Sequence, residues 1–502
     1  MFKSMSMNPI LWTDGYKLCH KDQYPAHTQW VYETWTPRMS RIEGISHVVF
    51  FGLQGALAEI TNSFDANFFA QPEEEVVAAY EEAIAAVFEN TNTKFASMHE
   101  SKHIRDLHRL GYLPIKVNAL PEGSLVPIGV PMFTIENTHP NFFWLPGYLE
   151  TQLSAYIWSP MTAATIADRY KRLLTGFAEK TGDVNKVFTQ AGDFSMRGMG
   201  SPETAYRTAG GHLLSFGVSA TLSVREYLKS YYHAKSDVMM YTPSTEHSVM
   251  CSYGEDEVEA FRHLITKVYP SGNISIVSDT YDLWNVVDNV LPKLKDLIMA
   301  REGKVVIRPD SGDPVKIICG DVASDRSTVR KGIVERLFEL FGGTTNSKGF
   351  KELDPHIGVV YGDSITVDRA DKICQGLLDK GFASTNTILG IGSYTYQYVT
   401  RDTFGFALKG TAEIVNGEFK AIQKRPATDT GNFKKSQKGM VAVVFENDEF
   451  RLIDNLNPKT IAELESRNLL QTCYLDGEFT HTTRFEEIRN RLKTETIRVY
   501  GK

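Results

Sequence analysis

The chain has 502 residues, with 54 Lys+Arg against 61 Asp+Glu for a formal net charge of −7, and is 42% apolar and 23% charged. These proportions are those of a globular protein and exclude a disordered chain, a collagen-like repeat or a coiled coil, while the length exceeds what one hydrophobic core usually supports. Mild acidity argues against broad nucleic-acid binding, which needs a basic face, but leaves room for small anions met by local Arg and Lys clusters.

In chain order, residues 1–150 mix short extended runs with helices. Val48 to Gly52 reads as a strand, and Glu73 to Glu89 as an amphipathic helix with Val76, Val77, Tyr80, Ile84 and Val87 at helical spacing. Tyr112 to Asn137 alternates apolar runs with Pro and Gly, the mark of hairpins. Two helices are predicted next, Trp144 to Trp158 and Ala164 to Thr181, the second ending at Gly182 as a C-cap.

Residues 151–398 carry the richest pattern. Six short segments run straight into polar or Gly-rich clusters: KVFTQAGDFSMRG (186–198), MMYTPSTEHS (239–248), ISIVSDTYD (274–282), KVVIRPDSGDP (304–314), IGVVYGDSIT (357–366) and TILGIGSYT (387–395). LLSFGVSAT (213–221) is a candidate seventh, and helical stretches separate several of them. This βαβα alternation predicts an α/β fold with a parallel sheet, an irregular βα barrel whose C-terminal mouth gathers the residues after each strand. Residues 399–502 return to antiparallel strands, with turns at Gly417 and Asn447-Asp448 and a final helix from Phe485. The two terminal parts are expected to join as one β-rich domain beside the barrel.

The five Cys (Cys19, Cys251, Cys319, Cys374, Cys473) form no CxxC pair, which argues against zinc or a disulfide framework and for a reducing compartment. The first twelve residues lack a signal-peptide core, and no apolar run approaches the ~20 residues of a membrane helix, so a cytoplasmic protein is expected.

The predicted mouth has a chemical character. Arg197 and Arg308 suit phosphate, with Lys409 and Lys424 further along; Gly390-Ile391-Gly392-Ser393 offers backbone N–H groups to an anion. There is no P-loop. Asp279, Asp310 and Asp363 close three strands and suit Mg²⁺ or sugar hydroxyls, although Asp also caps helices. His247 follows an acid at a strand end, and Phe194 lies between Asp193 and Arg197, either a stacking ring or a core residue. Together these groups suit a phosphorylated sugar meeting a flat base.

The motifs TDGYKLCHKDQYP (13–25), VFFGLQ (49–54), DFSMRG (193–198), TEHS (245–248), SIVSDTYDLWN (275–285), VIRPDSGDP (306–314), YGDS (361–364) and VTRDTFGF (399–406), in this order, resemble the type II phosphoribosyltransferases that act on nicotinamide and nicotinate. GIGSYTYQ places the likeness nearest the long bacterial and phage-type branch. The resemblance implies transfer of phosphoribose from phosphoribosyl pyrophosphate to nicotinamide, giving the mononucleotide and pyrophosphate, with Mg²⁺ and with ATP as activator. It implies a homodimer in which Phe194 and a neighbouring subunit's Tyr16 clamp the base. Arg308 would contact the base, and Asp279 and Asp310 the ribose and the metal-pyrophosphate. Arg197, Gly362, Asp363, Gly392, Ser393 and Arg401 would line the phosphate site. Arg38, Lys409 and Lys424 would meet pyrophosphate or ATP, and His247 would be phosphorylated by ATP. The chain departs from the pattern at Ala220, where nicotinamide-type members carry an Asp, and at Gly192, where the near branch has His. Ala220 opens two alternatives: nicotinate as base, with Ser219 as a donor to its carboxylate, or an ADP-ribose pyrophosphate donor that yields the dinucleotide. A non-catalytic relative is a further alternative, opposed by the intact His247, Asp279, Arg308 and Asp310.

Overall fold

Strands from both ends of the chain interleave in one antiparallel sheet. The computed structural model describes residues 7–91, 93–94, 101–362, 364–426, 428 and 436–501. It divides into one unit made of Met1–Thr162, Tyr227–Ala234 and Thr400–Val499, and a second made of Ala163–Glu226, Lys235–Val399 and Tyr500–Lys502.

In the first unit seven strands pair in the order Glu418–Ala421, Ala407–Val415, Thr28–Thr36, Phe133–Asn137, Ile115–Ala119, Gln471–Leu475 and Glu478–Phe479. The N- and C-terminal β-rich parts therefore share one sheet, and its apolar face packs on a core containing Tyr32, Trp35, Phe133 and Tyr474. The Asn447-Asp448 turn has φ of +52° and +63°, the paired left-handed conformation that a two-residue hairpin requires. Tyr227–Ala234 joins this unit through Gln54 Nε2, which donates to the Tyr231 carbonyl at 2.5 Å, and Gly55 N–H, which donates to the Tyr232 hydroxyl at 3.1 Å.

The sequence predicts two helices over 144–181; the structure has one, Leu145–Thr181, with Pro160 inside it. An interior Pro loses one helical hydrogen bond, and long flanking runs of helix former carry the helix past it. The boundary between the units falls within this helix, at Thr162. Among the described residues no helix is long and apolar enough to cross a membrane.

A charged cluster lies inside the first unit. The Glu150 carboxylate bridges Lys17 Nζ at 2.5 Å and Lys409 Nζ at 3.0 Å. Glu33, 5% exposed, lies beside them with Oε2 buried and unbonded among the described residues. Burial first, then the Glu150 charge, push its carboxyl up to about 7, against the pull of Lys17 and Lys409. The folded chain thus keeps a proton that an unfolded Glu loses near 4.5. That contribution to stability is complete below the unfolded value and is lost as pH rises through about 7. Glu33→Gln, always neutral, is expected to gain on the order of 3 kcal/mol over the parent between pH 4.5 and 8. Thermal unfolding of both proteins across that range checks it.

The second unit holds six parallel strands: β1 (Ala191–Asp193), β2 (Val218–Ser219), β3 (Ile274–Val277), β4 (Val305–Arg308), β5 (Ile357–Tyr361) and β6 (Thr387–Ile391), in the order β2-β1-β6-β5-β4-β3. β3 and β5 are buried along their whole length, as helices on a parallel sheet require. The sequence predicts a strand over 239–248. The structure has two single bridges there instead, Met240 to Val218 and Ser244 to Ser275. Pro243 supplies no N–H for a ladder, so this segment closes β2 to β3 at two points rather than as a full strand. The result is the irregular βα barrel, closed on one side by a segment that bridges β2 and β3 at two points.

Candidate active site

The parallel sheet aims every strand's C-terminal end at one rim. The rim's most polar part comes from β3, β4, β5 and the closing segment. Thr245 ties these together: its N–H donates to the Ser275 carbonyl at 3.0 Å, its hydroxyl accepts from Val277 N–H at 2.9 Å, and its carbonyl accepts from Arg308 Nη2 at 2.7 Å. Arg308 is thereby held as β4 ends, with Nε 3.5 Å from Asp310 Oδ1. Asp279 anchors the next turn. Its Oδ2 accepts from Asp310 N–H at 2.9 Å, Ser311 N–H at 2.7 Å and the Ser311 hydroxyl at 2.5 Å. Its Oδ1 is buried and accepts no hydrogen bond among the described residues. His247 begins the helix His247–Cys251 and is 48% exposed. Its Nδ1 lies 3.1 Å from Thr280 Oγ1, and its Nε2 lies 4.0 Å from both Asp279 Oδ1 and Asp310 Oδ2. A titratable nitrogen thus faces two carboxylates at the open rim.

Glycines bring the rest of the rim close. A Cβ on Gly362 would fall 2.1 Å from Asp310 Oδ1, and one on Gly390 would fall 2.8 Å from both the Gly362 carbonyl carbon and Phe194 Cδ2. Phe194, half-buried after β1, is therefore joined to the carboxylate cluster through two side-chain-free positions. A Cβ on Gly198 would meet Ser393 Oγ at 2.0 Å, so the Met196–Gly198 turn carrying exposed Arg197 lies against the Gly392-Ser393 turn after β6. Beneath them His212 Nδ1 lies 2.7 Å from the Tyr396 hydroxyl. Burial depresses the His212 imidazole, which keeps it neutral.

Behind β1 the Asp193 carboxylate is fully buried. It accepts from Ser195 N–H at 3.1 Å and the hydroxyls of Ser195, Ser219 and Thr221 at 2.6, 2.8 and 2.8 Å. Ser219, predicted to face the base, is thus fully buried with its proton on Asp193, while Ala220 beside it is exposed.

The remaining predicted residues, Asp363 apart, stand in the first unit. Tyr16 is 59% exposed, with Lys17 Nζ 5.4 Å from its ring centre. Arg38 Nε donates to the Gly405 carbonyl at 2.8 Å, and exposed Arg401 pairs with Asp402 at 3.3 Å. Lys409 is held by Glu150, and Lys424 is exposed, its N–H donating to Ser436 Oγ at 2.9 Å. Asp363 lies outside the described residues.

The profile of the nicotinate phosphoribosyltransferase (NAPRTase) family matches residues 189–478, and that of the nicotinamide phosphoribosyltransferase N-terminal domain matches residues 8–117. The chain is 45% identical to a nicotinamide phosphoribosyltransferase of Acinetobacter baylyi over 97% of this chain and 98% of that one. It belongs to the nicotinate phosphoribosyltransferase family. The chain is also 35% identical to a nicotinamide phosphoribosyltransferase of Mycoplasma pneumoniae, over 84% of this chain and 92% of that one. Two solved structures share the fold: nicotinate-nucleotide pyrophosphorylase from Pyrococcus furiosus (TM-score 0.60, 16% identity, 99% and 97% of the chains) and human nicotinic acid phosphoribosyltransferase (TM-score 0.56, 16% identity, 97% and 94%). Membership of this phosphoribosyltransferase family makes the chain a pentosyltransferase.

In this phosphoribosyltransferase the residues that sequence reading misses are those that brace others. Thr245 and Thr280 stand within motifs quoted above, yet their partners lie 63 and 33 positions away, on Arg308 and His247. Tyr241 gave no signal beyond its place in an apolar segment; the structure sets its ring 6.2 Å from Phe194 at 86°.

Proposed function

We propose that this chain forms nicotinamide mononucleotide and pyrophosphate from nicotinamide and phosphoribosyl pyrophosphate, a step of NAD salvage. The observation that carries the reading is the single rim on which Phe194, Gly390, Gly362, Asp310, Asp279 and His247 follow one another in contact or at ion-pair distance. The pyridine nitrogen attacks the anomeric carbon, a C–N bond forms, and the C–O bond to pyrophosphate breaks with its electron pair leaving on oxygen. Positive charge grows on the ribose as that bond breaks. Asp279 and Asp310 oppose it from fixed positions, so no reorganisation is needed at the moment of reaction. Phe194 supplies the face for the base, with Tyr16 of a second subunit in a homodimer as its counterpart. Arg308 meets the base, and Arg197, Gly362, Gly392 and Ser393 receive the ribose phosphate. Arg38, Lys409 and Lys424 serve pyrophosphate or ATP.

The carboxylates fit Mg²⁺ arriving with its substrate. Among the described residues no group of three or more His, Cys, Asp or Glu makes a cage. Mg²⁺ needs none, since it takes one or two carboxylates plus phosphate oxygens. Asp279 Oδ1, buried and unbonded, and Asp310 are the oxygens for it. When bound, the ion neutralises the departing pyrophosphate.

His247 would accept the γ-phosphoryl group of ATP on its open nitrogen Nε2, releasing ADP, in a cytoplasmic enzyme. Nicotinate as base is the second reading, favoured by Ala220, which sets no carboxylate against the charge of that acid.

Mass analysis of products from each base with phosphoribosyl pyrophosphate and Mg²⁺ tests the reading. The expected product is nicotinamide mononucleotide; absence of mononucleotide from both bases would refute it. His247→Ala is expected to remove stimulation by ATP, and stimulation that persists in the variant rules out the phosphohistidine.

A further inference from the structure

The end of β2 spends its polar side chains inward. Ser219 and Thr221 both donate their hydroxyl protons to the buried Asp193 carboxylate, and Ala220 between them offers a methyl group at the surface. A polar side chain at this corner comes from the closing segment. Met240 bridges Val218 in parallel, and Ser219 N–H donates to its carbonyl at 3.3 Å. One residue on, Tyr241 stands beside Ser219 and Ala220. It is 46% exposed, and its hydroxyl makes no hydrogen bond among the described residues. Its ring centre is 6.2 Å from that of Phe194 with the planes at 86°, so the two rings form a corner. A flat ring laid on Phe194 would have Tyr241 as a neighbour.

We infer that Tyr241 is the residue that reads the 3-substituent of the pyridine base. The inference rests on the placing of the base on Phe194 in the proposed function. A phenol both donates and accepts. It accepts from the amide N–H₂ of nicotinamide or donates to its carbonyl, and it donates to the carboxylate of nicotinate. Unlike an Asp at position 220, it sets no negative charge against the acid. The site therefore takes both bases, and the phenol proton matters more to the charged one.

The test measures kcat/KM for nicotinamide and for nicotinate in the full-length enzyme, its Tyr241→Phe variant and a Phe194→Ala variant, with phosphoribosyl pyrophosphate saturating. Tyr241→Phe is expected to lower kcat/KM about 5-fold for nicotinamide, the loss of a neutral hydrogen bond, and about 20-fold for nicotinate, the loss of a charge-assisted one. The KM for phosphoribosyl pyrophosphate is expected to move less than about twofold, since one hydroxyl fewer at the base leaves the phosphate contacts in place. Phe194→Ala is expected to raise the KM of both bases alike, because stacking ignores the substituent. A purely structural role for Tyr241 lowers both bases equally, and that result overturns the inference. So does a parent enzyme that uses nicotinamide and excludes nicotinate. Phe194→Ala with unchanged base KM removes the base from this corner altogether, a failure of the underlying reading that is separate from equal losses in Tyr241→Phe.

Discussion

Asp279→Ala is expected to lower kcat/KM about 10⁴-fold, through two losses that multiply. The first is charge. Asp279 Oδ1 is a buried carboxylate oxygen 4.0 Å from His247 Nε2, on the rim where positive charge develops. Removing one preorganised group of this kind costs about 10²-fold or more. The second is position. Oδ2 holds Asp310 N–H, Ser311 N–H and the Ser311 hydroxyl, and so fixes the turn that carries Asp310 and closes on Arg308. Once those donors are released the turn shifts, and a displacement near 1 Å at a reacting centre costs about 10²-fold by itself. Asp279→Asn separates the two losses. Its amide oxygen keeps acceptors for the turn while the charge is gone, so its melting temperature should stay nearer the parent than that of Asp279→Ala, with most of the activity still lost. Steady-state kinetics and thermal unfolding of both variants check this. An Ala variant within tenfold of the parent enzyme would show that the Asp279 carboxylate neither stabilises charge nor sets the rim.

How much of this was legible in the sequence depends on the range of each interaction. The strands of the second unit end where apolar runs meet polar clusters, so Asp279, Arg308, Asp310 and His247 fall on one rim as the βα pattern requires. That Asp279 anchors a turn 31 and 32 positions away is invisible to pattern reading, because the donors are backbone N–H groups that every residue has. The same limit explains Lys409. Its sequence setting suggests a free cation, but its partner Glu150 is 259 positions distant on a different element. The missed strand Gln471–Leu475 pairs with Ile115–Ala119 around a register shift and buries one residue, Tyr474, so no alternation marks it. The 239–248 segment shows the converse error: apolar content suggested a strand, and Pro243 with two lone bridges left only its path along the barrel. Ser219 is expected as a donor to the carboxylate of nicotinate because it stands next to Ala220, where the resembling family carries an Asp. A buried Asp193 directly beside it turned that hydroxyl inward.

Gly362→Ala is expected to lower kcat/KM about 10²-fold while leaving the fold nearly as stable. Gly362 needs no left-handed backbone, since its φ is not among the positive values of this chain, so an Ala is free to adopt the same path. The obstacle is lateral. The new methyl would stand 2.1 Å from Asp310 Oδ1 and 3.2 Å from Asp310 Cγ, with Arg308 Cδ at 3.4 Å. The strain is relieved by swinging the Asp310 carboxylate away, a rotation that costs the fold little and takes the carboxylate out of reach of His247 and the ribose. Gly390→Ala is the contrasting case. There the methyl meets the carbonyl carbon and oxygen of Gly362, both at 2.8 Å, and main chain cannot rotate aside. Overpacking of that kind is expected to cost about 1–3 kcal/mol of stability. Melting temperature and kcat/KM measured on the pair decide the matter: Gly362→Ala should lose activity with little change in melting, and Gly390→Ala should lose melting temperature first. Near-parental kcat/KM in Gly362→Ala would mean that Asp310 does its work from a second rotamer, because the carboxylate position that the glycine leaves open would then be dispensable.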